Sequence, residues 1–225
     1  MIALSTRDKI IDASIKNFLI FGYDNTSLST IAAEVGIKKP SIYYHFKNKE
    51  DLFIVSVNHI FDSLENYVSD SIKNVSSSYE ILENIFLSLI DFNKNLSYIV
   101  GNNHSEPVNL YNLFHFGKNK YVYIRERIDK YYNYLRSTIM DIIKMGQKNK
   151  EIRKDLDKEL LTLQIISWIE GFFALSSIYS YFDIYDMYQS LYDNMWKMIT
   201  TQTKPKKGFF NRKANPKTIS LGTKW

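Results

Sequence analysis

One segment of the chain, Thr26–Lys49, is predicted to form two short helices with only a tight turn between them. Thr26 or Ser27 can N-cap the first helix, which is short and ends at Val35-Gly36. Pro40 suits the first turn of the second helix, where its missing N–H is not needed. The second helix is rich in basic and polar aromatic residues. This combination predicts a helix-turn-helix, a unit with which many proteins enter the major groove of DNA.

Apolar residues keep helical spacing through nearly all of the remaining chain, and strand-type alternation is nowhere sustained. A first helix over Thr6–Phe21 ends at Gly22, and a fourth begins at the N-cap Asn48 and continues to about Lys73. We therefore predict an all-α fold with about nine helices. The other predicted helices are Tyr79–Tyr98, Val108–Gly117, Lys120–Lys148, Asp157–Phe182 and Asp183–Thr201.

Composition excludes several classes of protein. Because the 225 residues include no cysteine, disulfide bonds and thiolate metal sites are excluded. No apolar run of about 18 residues is present, and the N-terminus lacks the apolar core of a signal peptide, so we expect a cytoplasmic, nucleoid-associated protein. Glycine-rich phosphate loops, nucleophile elbows and paired metal-binding carboxylates are missing, and His104, Glu106 and His115 do not have metal-site spacing. We predict no catalytic residues, no metal and no cofactor.

The net charge of +5 is concentrated at one end of the chain. The tail Lys204–Trp225 holds seven basic residues and no acidic one, whereas residues 61–203 hold 15 basic and 18 acidic residues. The overall charge is therefore no argument for nucleic-acid binding. The tail, over 204–225, has no helical spacing and is expected to be disordered.

The last two predicted helices differ from the others. The first of them is apolar nearly all round, with one stripe of small or polar residues, and the second has two adjacent apolar faces. Since one protomer needs only one of those faces, we predict that the pair forms a four-helix homodimer interface. A larger monomer core is the alternative. The predicted interface residues are Ser167, Gly171, Ala174, Tyr188, Tyr192 and Trp196.

The ordered combination of residues in the first quarter of the chain resembles the N-terminal domain of the TetR/AcrR family of bacterial transcriptional regulators. The resemblance covers about residues 6–60 and includes Ile10–Phe18, Gly22-Tyr23, Thr26-Ser27, Ile31-Ala32, Gly36-Ile37, Tyr43–Phe46 and Lys49–Leu52. It implies a helix-turn-helix DNA-binding domain over 4–64, with the motif at about 27–46, and a helical effector-binding and dimerisation domain over 65–203. It further implies a homodimer that binds a near-palindromic operator, usually as a repressor released by a small molecule.

The resemblance also assigns roles to individual residues. It implies that Ser27 holds a phosphate at the start of the second helix and that Lys49 reaches another. It places Lys38 and Lys39 before the recognition helix and Ser41, Tyr43, Tyr44 and His45 on it. Hydroxyl and imidazole groups can donate to phosphate oxygens and lysine can neutralise them, so these residue types fit such roles. The alternatives are that one tyrosine packs in the core and that His45 caps its own helix.

Two residues depart from the family pattern. Pro40 stands where the family often has a small residue, so a backbone N–H contact is lost there. Asn17 replaces the usual leucine of the first helix, and we expect it to weaken the local core slightly.

The central helices are rich in aromatic residues, which are typical both of cores and of apolar ligand pockets between helices. Glu170 lies within an apolar stretch, so it would face a cationic ligand or pair with a basic residue. The predicted effector pocket consists of Phe92, Tyr111, Phe114, Tyr131, Trp168 and Glu170. The alternative function is an architectural DNA-binding protein that has no effector and is assisted by the basic tail.

Overall fold

The computed structural model describes residues 5–101, 110–178 and 184–200. These residues form nine α-helices, and their only β pairing is an isolated antiparallel bridge between Ile152 and Thr200. The all-α prediction is therefore confirmed. The helices are α1 (Thr6–Asn25), α2 (Leu28–Val35), α3 (Lys39–Ile42), α4 (Lys49–Ser71), α5 (Ser78–Val100), α6 (Leu110–Lys120), α7 (Val122–Lys148), α8 (Lys158–Ile178) and α9 (Ile184–Ile199).

Local sequence signals explain the boundaries of the first helices. The side chain of Ser5 accepts a hydrogen bond from the backbone N–H of Asp8 and so caps α1. Near its end, α1 is interrupted at Gly22, whose φ of 75° is a conformation that glycine adopts at little cost. Gly36, with φ 77° and ψ 30°, ends α2 at the predicted position, in a left-handed conformation.

The start of α4 has the predicted cap. The side chain of Asn48 accepts from the backbone N–H of Asp51 at 2.8 Å, and the carboxylate of Asp51 accepts from the backbone N–H of Lys47 at 2.8 Å. These two reciprocal bonds satisfy donors that the first turn would otherwise leave free. The junction between the short helix α3 and the long helix α4 is therefore fixed by side chains as well as by packing.

The described residues form two compact units. The first contains residues up to Asn66 and residues 92–131, and the second contains residues 67–91 and 132–200. Helices α4, α5 and α7 contribute a segment to each unit. In the first unit, Phe53 packs edge-on against Phe18 and Tyr23, and Phe61 stacks on Phe114 at 4.5 Å between ring centroids.

The second unit has its own aromatic core. Phe86 of α5 stacks on Trp168 and packs against Phe172, both of α8. Tyr192 of α9 is almost fully buried, and its hydroxyl donates to the backbone carbonyl of Tyr79 at 2.6 Å. A buried tyrosine needs such a partner for its hydroxyl, so this bond helps to fix α9 against α5.

Asn17, which stands where a leucine is usual, is hydrogen-bonded in the core. Its amide is buried and donates to the carbonyl of Ala13 at 2.7 Å and to the carboxylate of Glu34 at 2.6 Å. Glu34 also forms an ion pair of 2.8 Å with Lys16. Because the buried amide is hydrogen-bonded, it joins α1 to α2 instead of leaving an unsatisfied group in the core. The sequence expectation of a slightly weaker core took no account of the bond to Glu34, which depends on another helix.

Several predictions fall outside the described residues. These are the start of the helix predicted at Val108, the junction of the last two helices at 179–183, and the basic tail at 204–225. The predicted division at residue 64 lies close to the change of unit after Asn66, but residues 92–131 group with the N-terminal unit.

Candidate DNA-binding site

The helix-turn-helix is held together by a small set of buried apolar side chains. Ile31 and Ala32 of α2 and Ile42 of α3 are buried, as is Phe46, which follows α3. The turn between the two helices is closed by the backbone N–H of Ile37, which donates to Ala32 at 2.9 Å. Burial of these residues fixes the orientation of α3, so the remaining side chains of the segment are presented outward.

The N-terminus of α2 carries the predicted phosphate contact. The hydroxyl oxygen of Ser27 accepts from the backbone N–H of Thr30 at 3.0 Å and lies 2.8 Å from the hydroxyl of Thr30. Ser27 is exposed. It therefore caps α2, and the positive end of the helix dipole favours an anion at this point.

The predicted recognition residues surround α3. Lys38 and Lys39 are exposed, and no side-chain hydrogen bond caps this helix. Ser41 is half-buried. The helix itself is four residues long, so Tyr43, Tyr44 and His45 lie in the turns that follow it and not within it. Pro40, in the first turn, lacks an N–H, whereas helical bonding resumes with the bond from Ser41 to Lys38 at 2.8 Å.

The three polar rings at this surface point to solvent. Tyr43 is 51% exposed and Tyr44 is 89% exposed, so neither packs in the core. His45 is also exposed, and its ring contacts the adjacent Phe46 at 6.3 Å between centroids. The amphipathic ring and hydroxyl of a tyrosine suit it to contacts at an interface, and exposure leaves Tyr44 accessible to a partner.

The side chain of Lys49, like that of Ser27, is already engaged within the protein. Its ammonium lies 4.2 Å from the centroid of the Tyr23 ring and donates to the carbonyl of Asp24 at 3.4 Å. Burial lowers the pKa of Lys49. The negative charge of Asp24 raises this pKa, and the positive charge of Lys120 lowers it further. The contacts hold this ammonium next to the loop that leads into α2 and Ser27.

The six predicted effector residues are divided between the two units. Phe92, Tyr111, Phe114 and Tyr131 belong to the first unit, whereas Trp168 and Glu170 belong to the second. Phe92 and Tyr131 are buried, and Phe114 stacks on Phe61. In the second unit, the hydroxyl of Tyr132 donates to the carboxylate of Glu170; burial and that neighbouring charge raise the pKa of Tyr132. Glu170 therefore has a polar partner in its own chain.

The predicted interface residues have two different environments. On α8, Ser167 is exposed, and a Cβ added at Gly171 would meet no atom within 4 Å. Ala174 and Tyr188 are half-buried. Tyr192 and Trp196, by contrast, are only 1% and 2% exposed, because both pack against Tyr79 inside the protomer. These two residues therefore belong to the core of the second unit.

The exposed face of α8 includes the predicted Ser167 and Gly171, whereas on α9 the exposed face is not the predicted one. On α8 the exposed side chains follow one stripe at helical spacing, and the opposite stripe is buried. On α9, Met187 is 43% exposed and Met198 is 72% exposed. The sequence showed both faces of α9 but could not tell which one the protomer itself covers. The exposed stripe of α8 consists of Leu160, Leu163, Ser167, Leu175 and Ile178, with Gly171 between them.

Helix α8 is the one helix of the described chain that is long and apolar enough, by length and composition, to cross a membrane. The mean hydropathy of its most apolar window is 1.4, and a third of that window is buried. A core helix with one exposed apolar stripe has the same composition. Among the described residues, no three histidine, aspartate or glutamate side chains are placed to bind a metal, and His104 and Glu106 lie outside those residues.

Sequence reasoning missed Arg127. This residue of α7 is 8% exposed, and its guanidinium donates to Glu65 at 2.7 Å and to Asp62 at 2.8 Å, both on α4. The guanidinium also lies 5.1 Å from the centroid of the Phe61 ring. An arginine within a charged helix face gives no local signal of burial, so only the tertiary structure identifies it.

The helix-turn-helix segment is similar to known proteins. Residues 10–55 match the model of the tetR family of bacterial regulatory proteins. The biofilm operon icaADBC HTH-type negative transcriptional regulator IcaR of Staphylococcus aureus (strain Newman) is 40% identical over 86 residues, which are 38% of this chain and 45% of that protein. The matched part of the chain therefore spans less than half the length of this relative.

Similarity to solved structures extends over most of the chain. A TetR-family transcriptional regulator from Cytophaga hutchinsonii has a TM-score of 0.68 at 20% identity, over 88% of this chain and 96% of that one. FadR from Bacillus subtilis, solved in complex with stearoyl-CoA, has a TM-score of 0.62 at 21% identity, over 84% of this chain and 96% of that one. The N-terminal segment of the chain is thus similar to the tetR family of bacterial regulatory proteins, and its fold is similar to that of solved regulators.

Proposed function

We propose that this protein is a dimeric, sequence-specific DNA-binding repressor of transcription, located in the cytoplasm on chromosomal DNA. The observation that carries the proposal is the exposure of Tyr43, Tyr44 and His45 beside two free lysines, on a segment whose apolar residues are buried. The description of IcaR as a negative transcriptional regulator supports repression rather than activation. The bound protein would act by occupying promoter DNA.

Homodimerisation would provide the second DNA-binding domain. The apolar stripe of α8 and the methionines of α9 form a surface that the protomer leaves open, and small residues at Ser167 and Gly171 would allow a partner helix to approach closely. Two copies of this surface would form a two-fold interface. The two DNA-binding domains would then contact half-sites roughly 34–36 Å apart on a near-palindromic operator.

A small-molecule effector would relieve the repression. The aromatic residues of the helical body favour a ligand with a large apolar part. The structure of FadR in complex with stearoyl-CoA, to which this fold is similar, supports such a ligand. The carboxylate of Glu170 is already bonded to Tyr132, so a cationic ligand is less favoured than the sequence alone indicates. An effector can change operator affinity only by binding the DNA-competent and DNA-incompetent states unequally.

The test of the proposal is selection of sheared host DNA on the purified protein at about 0.15 M salt, where nonspecific phosphate contacts are weakened. We expect recovery of one or a few near-palindromic fragments from promoters. Broad recovery without a shared motif would reject sequence-specific regulation and favour the architectural alternative.

The dimer is tested separately by sedimentation. The protein should sediment at twice its chain mass of 26.5 kDa, and Leu163→Glu, which places a charge in the exposed stripe, should sediment at the chain mass. Val122→Glu, on a similarly exposed residue of α7, is the matched control and should remain dimeric. A dimer in which Leu163→Glu has no effect would contradict this interface.

A further inference from the structure

The aromatic ring of Tyr23 holds two ammonium groups. Lys49, the first residue of α4, has its nitrogen 4.2 Å from the ring centroid, and Lys120, the last residue of α6, has its nitrogen 4.6 Å from the same point. The two nitrogens are therefore no more than 8.8 Å apart. Attraction between a cation and an aromatic face is sufficient to hold each lysine there.

Neither ammonium is neutralised by a carboxylate. Among the described residues, no ion pair within 4.0 Å includes Lys49 or Lys120. The carboxylates of Asp24 and Glu50 are near enough to affect Tyr23 or Lys49, but they do not reach either nitrogen. Two cations so close together, without counter-ions in contact, are stabilised by any anion that binds beside both.

The pair lies next to the predicted phosphate contact. The ammonium of Lys49 donates to the carbonyl of Asp24, and three residues later Ser27 caps the N-terminus of α2. Lys120 is exposed, so its nitrogen remains open to a ligand from solvent. We propose that Lys120 is a further DNA-backbone contact, contributed by α6 from outside the helix-turn-helix, and that it binds phosphate together with Lys49.

This inference rests on the proposed DNA-binding function and adds a route for its regulation. Helix α6 carries Phe114, which stacks on Phe61, and ends at Lys120. A ligand that displaces α6 would therefore withdraw a positive charge from the DNA. No movement of the recognition segment around α3 would be required for that loss of affinity.

The experiment compares the salt dependence of binding for Lys120→Gln and the unchanged protein, on the selected fragment and on a scrambled duplex. The logarithm of the binding constant falls linearly as the logarithm of the salt concentration rises. Removing one phosphate contact should make this slope less steep by about 0.9 per protomer. Lys120→Arg keeps the charge and should keep the slope. Lys148→Gln, on an exposed lysine at the end of α7, should match the unchanged protein.

A slope that stays the same in Lys120→Gln on both duplexes would overturn the inference, even if affinity or thermal stability falls. A purely structural role for the lysine would lower the melting temperature without changing the slope. The proposed function and this inference fail in different ways. Equal affinity of the unchanged protein for the selected and scrambled duplexes would reject the proposed function. If the protein binds the selected duplex specifically but Lys120→Gln leaves the slope unchanged, only the phosphate contact of Lys120 is rejected.

Discussion

The guanidinium of Arg127 on α7 donates a 2.7 Å hydrogen bond to the carboxylate of Glu65 on α4. A second bond of 2.8 Å goes to Asp62, one turn earlier on the same helix. Arg127 is nearly buried, whereas Glu65 is 23% exposed and Asp62 is 64% exposed. This contact connects α7 to the helix that begins directly after the DNA-binding segment.

We expect replacement of Arg127 by methionine to reduce the free energy of unfolding by about 2 kcal/mol, because it leaves the partly buried Glu65 without its partner. Glu65→Gln should reduce the free energy of unfolding by less than the arginine replacement does, because Asp62 still pairs with the arginine. Asp62→Asn should cost under about 1 kcal/mol, as expected for an exposed ion pair. Urea unfolding of the three variants gives the ranking, and a largest effect at Asp62 would contradict it.

Asp12 should make stability depend on pH. Burial, and secondarily Asp8, raise the pKa of Asp12 from 3.8 to about 6. The groove at this carboxyl, between α1, α2 and the end of α5, also includes Lys9, Lys16 and Glu34. A raised carboxyl pKa means that the folded protein binds the proton more tightly than the unfolded chain. The contribution is therefore favourable at low pH and is lost as pH rises from about 4 through about 6.

The test for Asp12 is the variant Asp12→Asn. At about pH 7.5 it should be more stable than the unchanged protein by about 1 kcal/mol, a value reduced from the full pKa shift because solvent screens a half-buried group. At about pH 4 the two proteins should have the same free energy of unfolding. A gain that is equal at both pH values would show that packing, not ionisation, is responsible.

Gly146 of α7 leaves no room for a side chain. A Cβ there would lie 2.7 Å from Cδ1 of Ile152 and 2.8 Å from the hydroxyl of Ser78. Gly146→Ala should therefore cost about 1–2 kcal/mol despite the better helix propensity of alanine. Ile152→Val removes the Cδ1 atom, so the double variant should be less destabilised than the sum of the two single changes. Strict additivity in urea unfolding would contradict this contact.

Tyr44 should contribute to DNA affinity and not to stability. Tyr44→Phe removes only the hydroxyl of an 89% exposed ring, so operator binding should weaken by about 1 kcal/mol per DNA-binding domain while the melting temperature stays the same. Tyr123→Phe, on an exposed tyrosine of α7, is the matched control. Fluorescence anisotropy with the selected fragment measures the DNA affinity of both variants. Equal affinities for the two variants would remove Tyr44 from the interface.

Features fixed by neighbouring residues could be predicted from the sequence. The cap of α2 at Ser27, its end at Gly36 and the cap at Asn48 each depend on atoms within a few positions. Each agrees with the sequence analysis, which allowed Thr26 or Ser27 for the first of them. Helix α3 is shorter than the recognition helix that the sequence predicts, because it ends before Tyr43 and Tyr44, which lie in turns. Helix ends are decided by small energies, so such a difference is common.

Features that depend on distant residues could not be predicted. Arg127 pairs with Glu65, which lies 62 positions earlier in the sequence, and with Asp62, which lies 65 positions earlier. Asn17 bonds to Glu34 on another helix. On α9 the two apolar faces are equally plausible from spacing alone. The choice between them was settled by Tyr79, which covers Tyr192 and Trp196 and leaves the methionine face exposed. Only the packed protomer contains that information.

The central claim is that this protein recognises a DNA sequence. The most direct measurement is the ratio of its affinities for the selected fragment and for a scrambled duplex of the same length and composition, at about 0.15 M salt. The account predicts a ratio of about 10³ or more, as found for specific DNA-binding proteins. Equal affinities that fall together and steeply with added salt would mean that phosphate charge alone is bound, and would contradict the account.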